Sequence, residues 1–127
     1  MNINVVNKKT HMSEACDVYI GRPSALGNPY SVEKYGREVC IAMFETEFNV
    51  MMEQGIDMPH LNYESCKQQL KAIENAAKLY NRVNLVCWCA PLACHGDVIA
   101  EYFHKMFNTS DRYDDLLRSG LLQPEDL

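Results

Sequence analysis

A chain of 127 residues, 47% hydrophobic and 23% charged, has the size and balance of one domain around a single hydrophobic core. Its net charge of −5 argues against a DNA or RNA polymer as partner, which needs a basic face. A small anion held by a few local donors remains compatible with that charge.

The first predicted element is a β-branched strand over residues 3–8, INVVNK. A second strand, CDVYIG, follows at residues 16–21, with Val18 and Ile20 alternating around Tyr19. Two prolines, a glycine, a serine and an asparagine make residues 22–30, RPSALGNPY, a loop. Residues 37–54 read as a helix with a wide apolar stripe: Val39 with Met43, then Cys40, Phe44 and Phe48, then Met51 and Met52. Gly55 supplies its stop. A connector leads to a second helix over residues 63–80, with Cys66, Leu70, Ile73, Ala77 and Tyr80 on one side.

Residues 83–89, VNLVCWC, form the strongest predicted strand. Their nearly continuous apolar character is that of a strand covered on both faces, with Trp88 packed under a helix. APLACHG then turns, and residues 97–107 form a third amphipathic helix. The expected architecture is a small Rossmann-like α/β sandwich: a mostly parallel sheet of about three to four strands flanked by helices. It occupies residues 1–108 as a single α/β domain, and residues 109–127 are a polar C-terminal tail with one short helical piece.

No apolar run approaches the roughly 18–20 residues of a membrane span, and the opening MNINVVNKK does not read as an export leader. A cytoplasmic protein with reduced thiols and no membrane partner is therefore expected. His11, His60 and His104 read as surface or loop histidines.

Chemistry concentrates in two loops, each at the carboxyl end of a predicted strand, where open parallel sheets bind ligands. If those strands are neighbours, the loops face each other across one cleft. In the first loop, Gly21 lets the chain turn and Arg22 offers a cationic fork for phosphate or carboxylate. Ser24 adds a hydroxyl, Gly27 admits close approach, and Asn28 offers an amide to a base or ribose. Pro23 and Pro29 stiffen the loop. The alternative is a plain surface loop with Arg22 in solvent.

The second loop admits three chemical readings. Cys87, Cys89, Cys94 and His95 are zinc-type ligands, although their spacing lacks the usual second knuckle. Cys94 precedes a helix N-terminus with His95 and Asp97 beside it, so a reactive thiol or an acid–base group is open, with Cys94, His95 and Asp97 as catalytic candidates. In the third, CHGD opens a helix whose free N–H groups, with Gly96, floor a ligand pocket, while Asp97 caps the helix or takes a ribose hydroxyl. Against all three stands a bland assignment in which the cysteines are small core residues and Asp97 is only a first-turn acid.

VYIGRPSALGNPY followed by CWCAPLACHGDVIAEYF resembles the DUF4326 family. Its pattern is a GRPSxLGNPF-like loop, an arginine shortly after, and CxCxPxxCHGDVLA. The match runs over residues 18–103, with Tyr30 at the usual phenylalanine and Arg37 at the arginine. The resemblance implies a compact Rossmann-like domain similar to those that bind nucleotides or ADP-ribose derivatives, frequent in bacteriophages and bacteria. It also implies that the two loops act together.

Chemistry and resemblance give one expected ligand-binding set: Gly21, Arg22, Pro23, Ser24, Leu26, Gly27, Asn28, Pro29, Arg37, Cys89, Cys94, His95, Gly96 and Asp97. The expected function is binding of a phosphate-bearing nucleotide derivative, ADP-ribose-like or a cyclic nucleotide signal, without a cofactor. A phage protein of this kind would sequester an immune signalling nucleotide in the host cytoplasm. The alternatives are a nucleotide hydrolase or glycosidase using His95, Asp97 or Cys94, and a structural zinc module. A homodimer or higher homo-oligomer is expected from the apolar surface of so small a sheet.

Overall fold

The computed structural model describes residues 2–119, with side chains through Phe107. Three strands and four helices follow in the order β1 (Asn2–Asn7), β2 (Asp17–Tyr19), α1 (Val32–Tyr35), α2 (Arg37–Gln54), α3 (Tyr63–Tyr80), β3 (Arg82–Cys87) and α4 (His95–Ser119). The sheet order is β1-β3-β2 and both pairings are parallel. The fold is α/β, and β2 and β3 are neighbours, as a shared cleft requires.

Local chemistry explains the element ends. Gly55 adopts the left-handed conformation (φ 65°) that closes α2, its N–H reaching Met51 O. Asn62 caps α3 by accepting the Ser65 N–H, and Asn81 ends it in the left-handed region. α1 is a single turn capped by Ser31 that hydrophobic periodicity does not reveal. β3 stops at Cys87, two residues before its expected end, because the Asn7 side-chain amide takes the carbonyls of Trp88 and Ala90. α4 runs on to Ser119, so the expected third helix and part of the tail's helical piece are one helix. Asn108, Thr109, Ser110 and Asp111 are weak helix formers but include no proline or glycine to break it. The expected tail beyond residue 119 lies outside the described residues.

The core sits between one sheet face and three helices. Period-2 alternation puts Ile3, Val5, Val83, Leu85 and Cys87 on that face. They meet Phe44, Phe48 and Met51 of α2, Cys66, Leu70, Ile73 and Ala77 of α3, and Val98, Ile99 and Phe103 of α4. The α2 stripe is narrower than expected, since Val39 is 49% exposed.

The opposite face corrects a second expectation. Among the described residues it carries no helix but a polar ladder: buried Asn84 donates to Asp17 Oδ1 (2.9 Å) and accepts from Asn4 Nδ2 (3.4 Å). Residues 8–16 return along this side, and His11 pairs with Asp17 at 3.0 Å. Thus β3 is buried on both faces, but by unlike partners. Trp88 is not packed under a helix; it is 56% exposed at the end of β3.

Candidate functional site

Because β2 and β3 run parallel side by side, the loops after them emerge at the same sheet edge. Between them lies a cleft of about 110 Å³. Of the expected ligand set, Gly21, Arg22, Asn28, Arg37, Cys89, Cys94 and His95 line it. Pro23, Ser24, Leu26, Gly27, Pro29, Gly96 and Asp97 do not.

The first loop is built from two tight turns, closed by Ser24 N–H to Gly21 O and Gly27 N–H to Ser24 O, both 2.9 Å. The Arg22–Pro23 peptide is cis. A Cβ on Gly27 would meet the Arg22 backbone at 2.9 Å, so this glycine permits the turns to stack on each other rather than a ligand to approach. Leu26 is fully buried, and its N–H goes to Gln69 Oε1. The Ser24 hydroxyl is buried without a partner among the described residues. Asn28 holds the loop to itself and to α2: its oxygen accepts the Tyr30 N–H and its amide donates to Cys40 O. Arg22 is exposed, with only its backbone carbonyl fixed, by the Tyr19 hydroxyl at 2.7 Å.

The second loop is fixed by sulfur. Cys94 stands before α4, and its Sγ accepts the Gly96 N–H at 3.2 Å, while Asp97 reaches back to the Cys94 N–H at 3.1 Å. Asp97 makes its half of a capping box, and the Cys94 thiol stands in the usual hydroxyl position but takes the N2 amide. The helix N-terminus is therefore capped from within. Gly96 has another reason to lack a side chain: a Cβ there would press on Ile20 and Val5 at 3.0 Å. Arg37 ties the loop to α2 through Nη1 and Ala93 O, 3.0 Å.

His95 lies beneath the cleft, 7% exposed, with its Nε2 2.8 Å from Ile20 O and its ring edge-on to Phe44. A carbonyl partner assigns the proton to Nε2 and leaves Nδ1 as the acceptor. Burial lowers its pKa, opposed by the Ile20 carbonyl and Asp97, with Arg22 adding to the lowering. Cys87 and Cys94 are both buried, with sulfurs 3.5 Å apart. The Cys94 thiol donates to Cys87, and the Cys89 and Ala90 N–H groups add to it, which brings the Cys87 thiol down to about 6. The same contact, with burial, pushes Cys94 up, so Cys94 keeps the shared proton.

Among the three catalytic candidates, then, Asp97 is a cap, Cys94 holds its proton and His95 is held neutral. Among the described residues no three His, Cys, Asp or Glu side chains converge as a metal-ligand group. Of the zinc-type set, Cys87 and Cys94 meet at 3.5 Å, while the His95 ring nitrogen turns to Ile20 O.

Sequence reasoning missed the cleft's rim. The Trp88 indole N–H donates to the Tyr19 hydroxyl at 3.0 Å, and Lys8 Nζ sits 4.8 Å from the Tyr19 ring and 5.9 Å from Trp88. Tyr30 also lines the cleft. A signal for Trp88 was its place near the carboxyl end of the best strand, where ligands bind. A larger groove of about 530 Å³ lies between α2 and α4, but Glu45 and Glu101 line it and Lys105 is paired with Glu101. Its charge suits an anion less well than the cleft with two arginines.

The family described as a domain of unknown function, DUF4326, matches residues 3–105. The chain belongs to the DUF4326 family. A second DUF4326-like sequence comes from Enterobacteria phage T4, an uncharacterized 12.4 kDa protein in the nrdA-td intergenic region. It is 28% identical over 100 residues, covering 79% of each chain. No solved structure matches this chain. The family match spans both loops of the cleft, and no helix among the described residues is long and apolar enough to cross a membrane.

Proposed function

We propose that the cleft binds a phosphate-bearing nucleotide derivative, with phosphate at the two arginines and the base against Trp88. The observation that carries the reading is the convergence of Arg22, Arg37 and an exposed indole on one cleft at the carboxyl ends of two parallel strands. Guanidinium groups match phosphate oxygens bidentately. An indole face is a stacking platform for any base.

Size shapes the proposal. Ligand pockets usually span about 300–1,000 Å³, and this one offers about 110 Å³. The cleft itself takes one group, a phosphate or a ribose ring, and the rest of the ligand lies across the rim between Arg22 and Trp88. Because the Cys94 and Gly96 amides at the start of α4 are already bonded, the arginines rather than the helix end carry the phosphate.

Binding without turnover is the favoured form, since the capping of Asp97 and the protonated Cys94 leave the acid–base set incomplete. In a phage setting, consistent with the T4 relative, such a binder would sequester a nucleotide signal. Thermal melting against ADP-ribose, cyclic ADP-ribose isomers, cyclic dinucleotides, NAD, AMP and GMP tests it. A ligand at about 100 times its Kd adds roughly 2.7 kcal/mol, a shift of several degrees for this chain. The shift should vanish in Arg22→Ala and shrink in Trp88→Ala, and the ligand should return intact after denaturation. A flat panel would end the nucleotide reading, and a chemically altered ligand would replace binder with enzyme.

A further inference from the structure

Of the four cysteines that line the cleft, Cys87 and Cys94 are 1% and 3% exposed and bring their Sγ atoms within 3.5 Å of each other. A disulfide requires about 2.05 Å, so an approach of about 1.5 Å between two side chains joins them. All six cysteines are free. The Cys94 thiol donates to the Cys87 sulfur, and that bond, with backbone bonds at Cys89 and Ala90, lowers the Cys87 thiol. That arrangement favours a thiolate at Cys87 with a resolving thiol already in contact.

We propose that Cys87 and Cys94 form a redox-active dithiol that reduces hydrogen peroxide entering the cleft and closes to a disulfide. The Cys87 thiolate attacks one peroxide oxygen; an S–O bond forms, the O–O bond breaks, and the departing oxygen takes the Cys94 proton and leaves as water. The Cys94 thiolate then attacks the Cys87 sulfenic sulfur, forming the S–S bond and releasing hydroxide. The two sulfurs are oxidised by two electrons, and the peroxide is reduced. A thiol reductant restores the pair.

Access selects the oxidant. A cleft of about 110 Å³ holds a few molecules the size of water, each about 30 Å³ in the liquid. Hydrogen peroxide fits; the disulfide of a protein partner does not reach sulfurs this buried. The proposal is independent of the nucleotide reading.

The test uses the full chain, reduced, freed of reductant and treated with hydrogen peroxide, followed by alkylation and peptide mapping. Two thiols should disappear together as a Cys87–Cys94 crosslink, before Cys89 reacts, although Cys89 is the most accessible of the six. Dithiothreitol should recover both. In Cys94→Ser, dimedone should trap a sulfenic acid at Cys87. Oxidation of Cys89 first, a crosslink through Cys89, or full recovery of Cys87 and Cys94 as free thiols would overturn it. The wild-type map decides alone if the variant does not fold.

Discussion

The two cleft loops achieve the same rigidity by different chemistry. The first is held by backbone turns and the amides of Asn28 and Gln69, with the Tyr19 hydroxyl and the Cys66 thiol on two of its carbonyls. The second adds sulfur and a carboxylate, Cys87, Cys94 and Asp97, to the bonds that Asn7 and Arg37 make to its carbonyls. In both, most polar groups of the motif hold the loop, and the groups turned toward the cleft are few. A sequence motif in such a family thus mixes scaffold with site, and only the hydrogen bonds separate them.

The sharpest separation is in pH. Between about pH 6 and the ordinary thiol range near 8.5, the unfolded chain keeps both thiol protons while the folded pair has released one. Stability therefore rises with pH over that window, by at most about 1.4 kcal/mol per unit. Above it, the unfolded chain loses both protons while Cys94 holds one, so stability falls. Buried Cys66, raised to about 11, adds to the fall. His95, with its lowered pKa, contributes a rise that tails off just above pH 6.5 and so overlaps the lower end of the window. The difference in urea midpoint between wild type and Cys87→Ser should grow from about pH 6.5 to 8.5, since His95 acts equally in both; parallel profiles would remove the thiolate.

Arg22 and Arg37 line the same cleft with different duties. Arg22→Ala should weaken a phosphate ligand by about 10–100-fold, as a charge-assisted bond of about 1.5–3 kcal/mol implies. Its stability should stay within about 0.5 kcal/mol of wild type. Arg37→Ala should lose both affinity and stability, because Nη1 holds Ala93 O. Calorimetric titration alongside melting separates them, and equal stability loss in both would erase the distinction.

Gly27 and Gly21 sharpen the contrast inside the first loop. At Gly27 the added methyl meets backbone, at Gly21 the end of the Tyr19 ring. Gly27→Ala should cost about 1–3 kcal/mol, read as a lower urea midpoint. Gly21→Ala should cost less, because the ring swings away, and should instead change the fluorescence of Trp88 as its bond to Tyr19 breaks. A larger loss at Gly21 would mean that the ring is fixed.

Much of the scaffold was legible because it depends on local signals. The ends of α2 and α3 follow from Gly55, from Asn62 and from apolar spacing; the α/β class follows from element order. The cleft's position followed from two strands each ending in an unusual loop. What stayed hidden depends on distant partners. Nothing near Trp88 reveals that Asn7 takes its carbonyl and turns it outward. Nothing in CHGD reveals that a thiol caps the helix, since the sequence equally allows free amides. The second sheet face misled because Asn84 is buried as part of a polar ladder rather than under a helix.

The smallest effect tests the cap. Asp97→Ala removes the carboxylate from the Cys94 N–H, and loss of such a cap costs about 1 kcal/mol. For this chain that is a drop of about 4 °C in Tm. Because Asp97 lies outside the cleft, phosphate-ligand affinity should change less than about threefold, against the far larger loss in Arg22→Ala. Asp97→Asn should recover part of the Tm, since an amide oxygen still accepts the N–H but without the charge that favours a helix N-terminus. If Asp97→Ala instead abolished binding with Tm unchanged, the acid would belong to the ligand and not to the helix. The second loop would then present its motif to the cleft as the first presents Arg22.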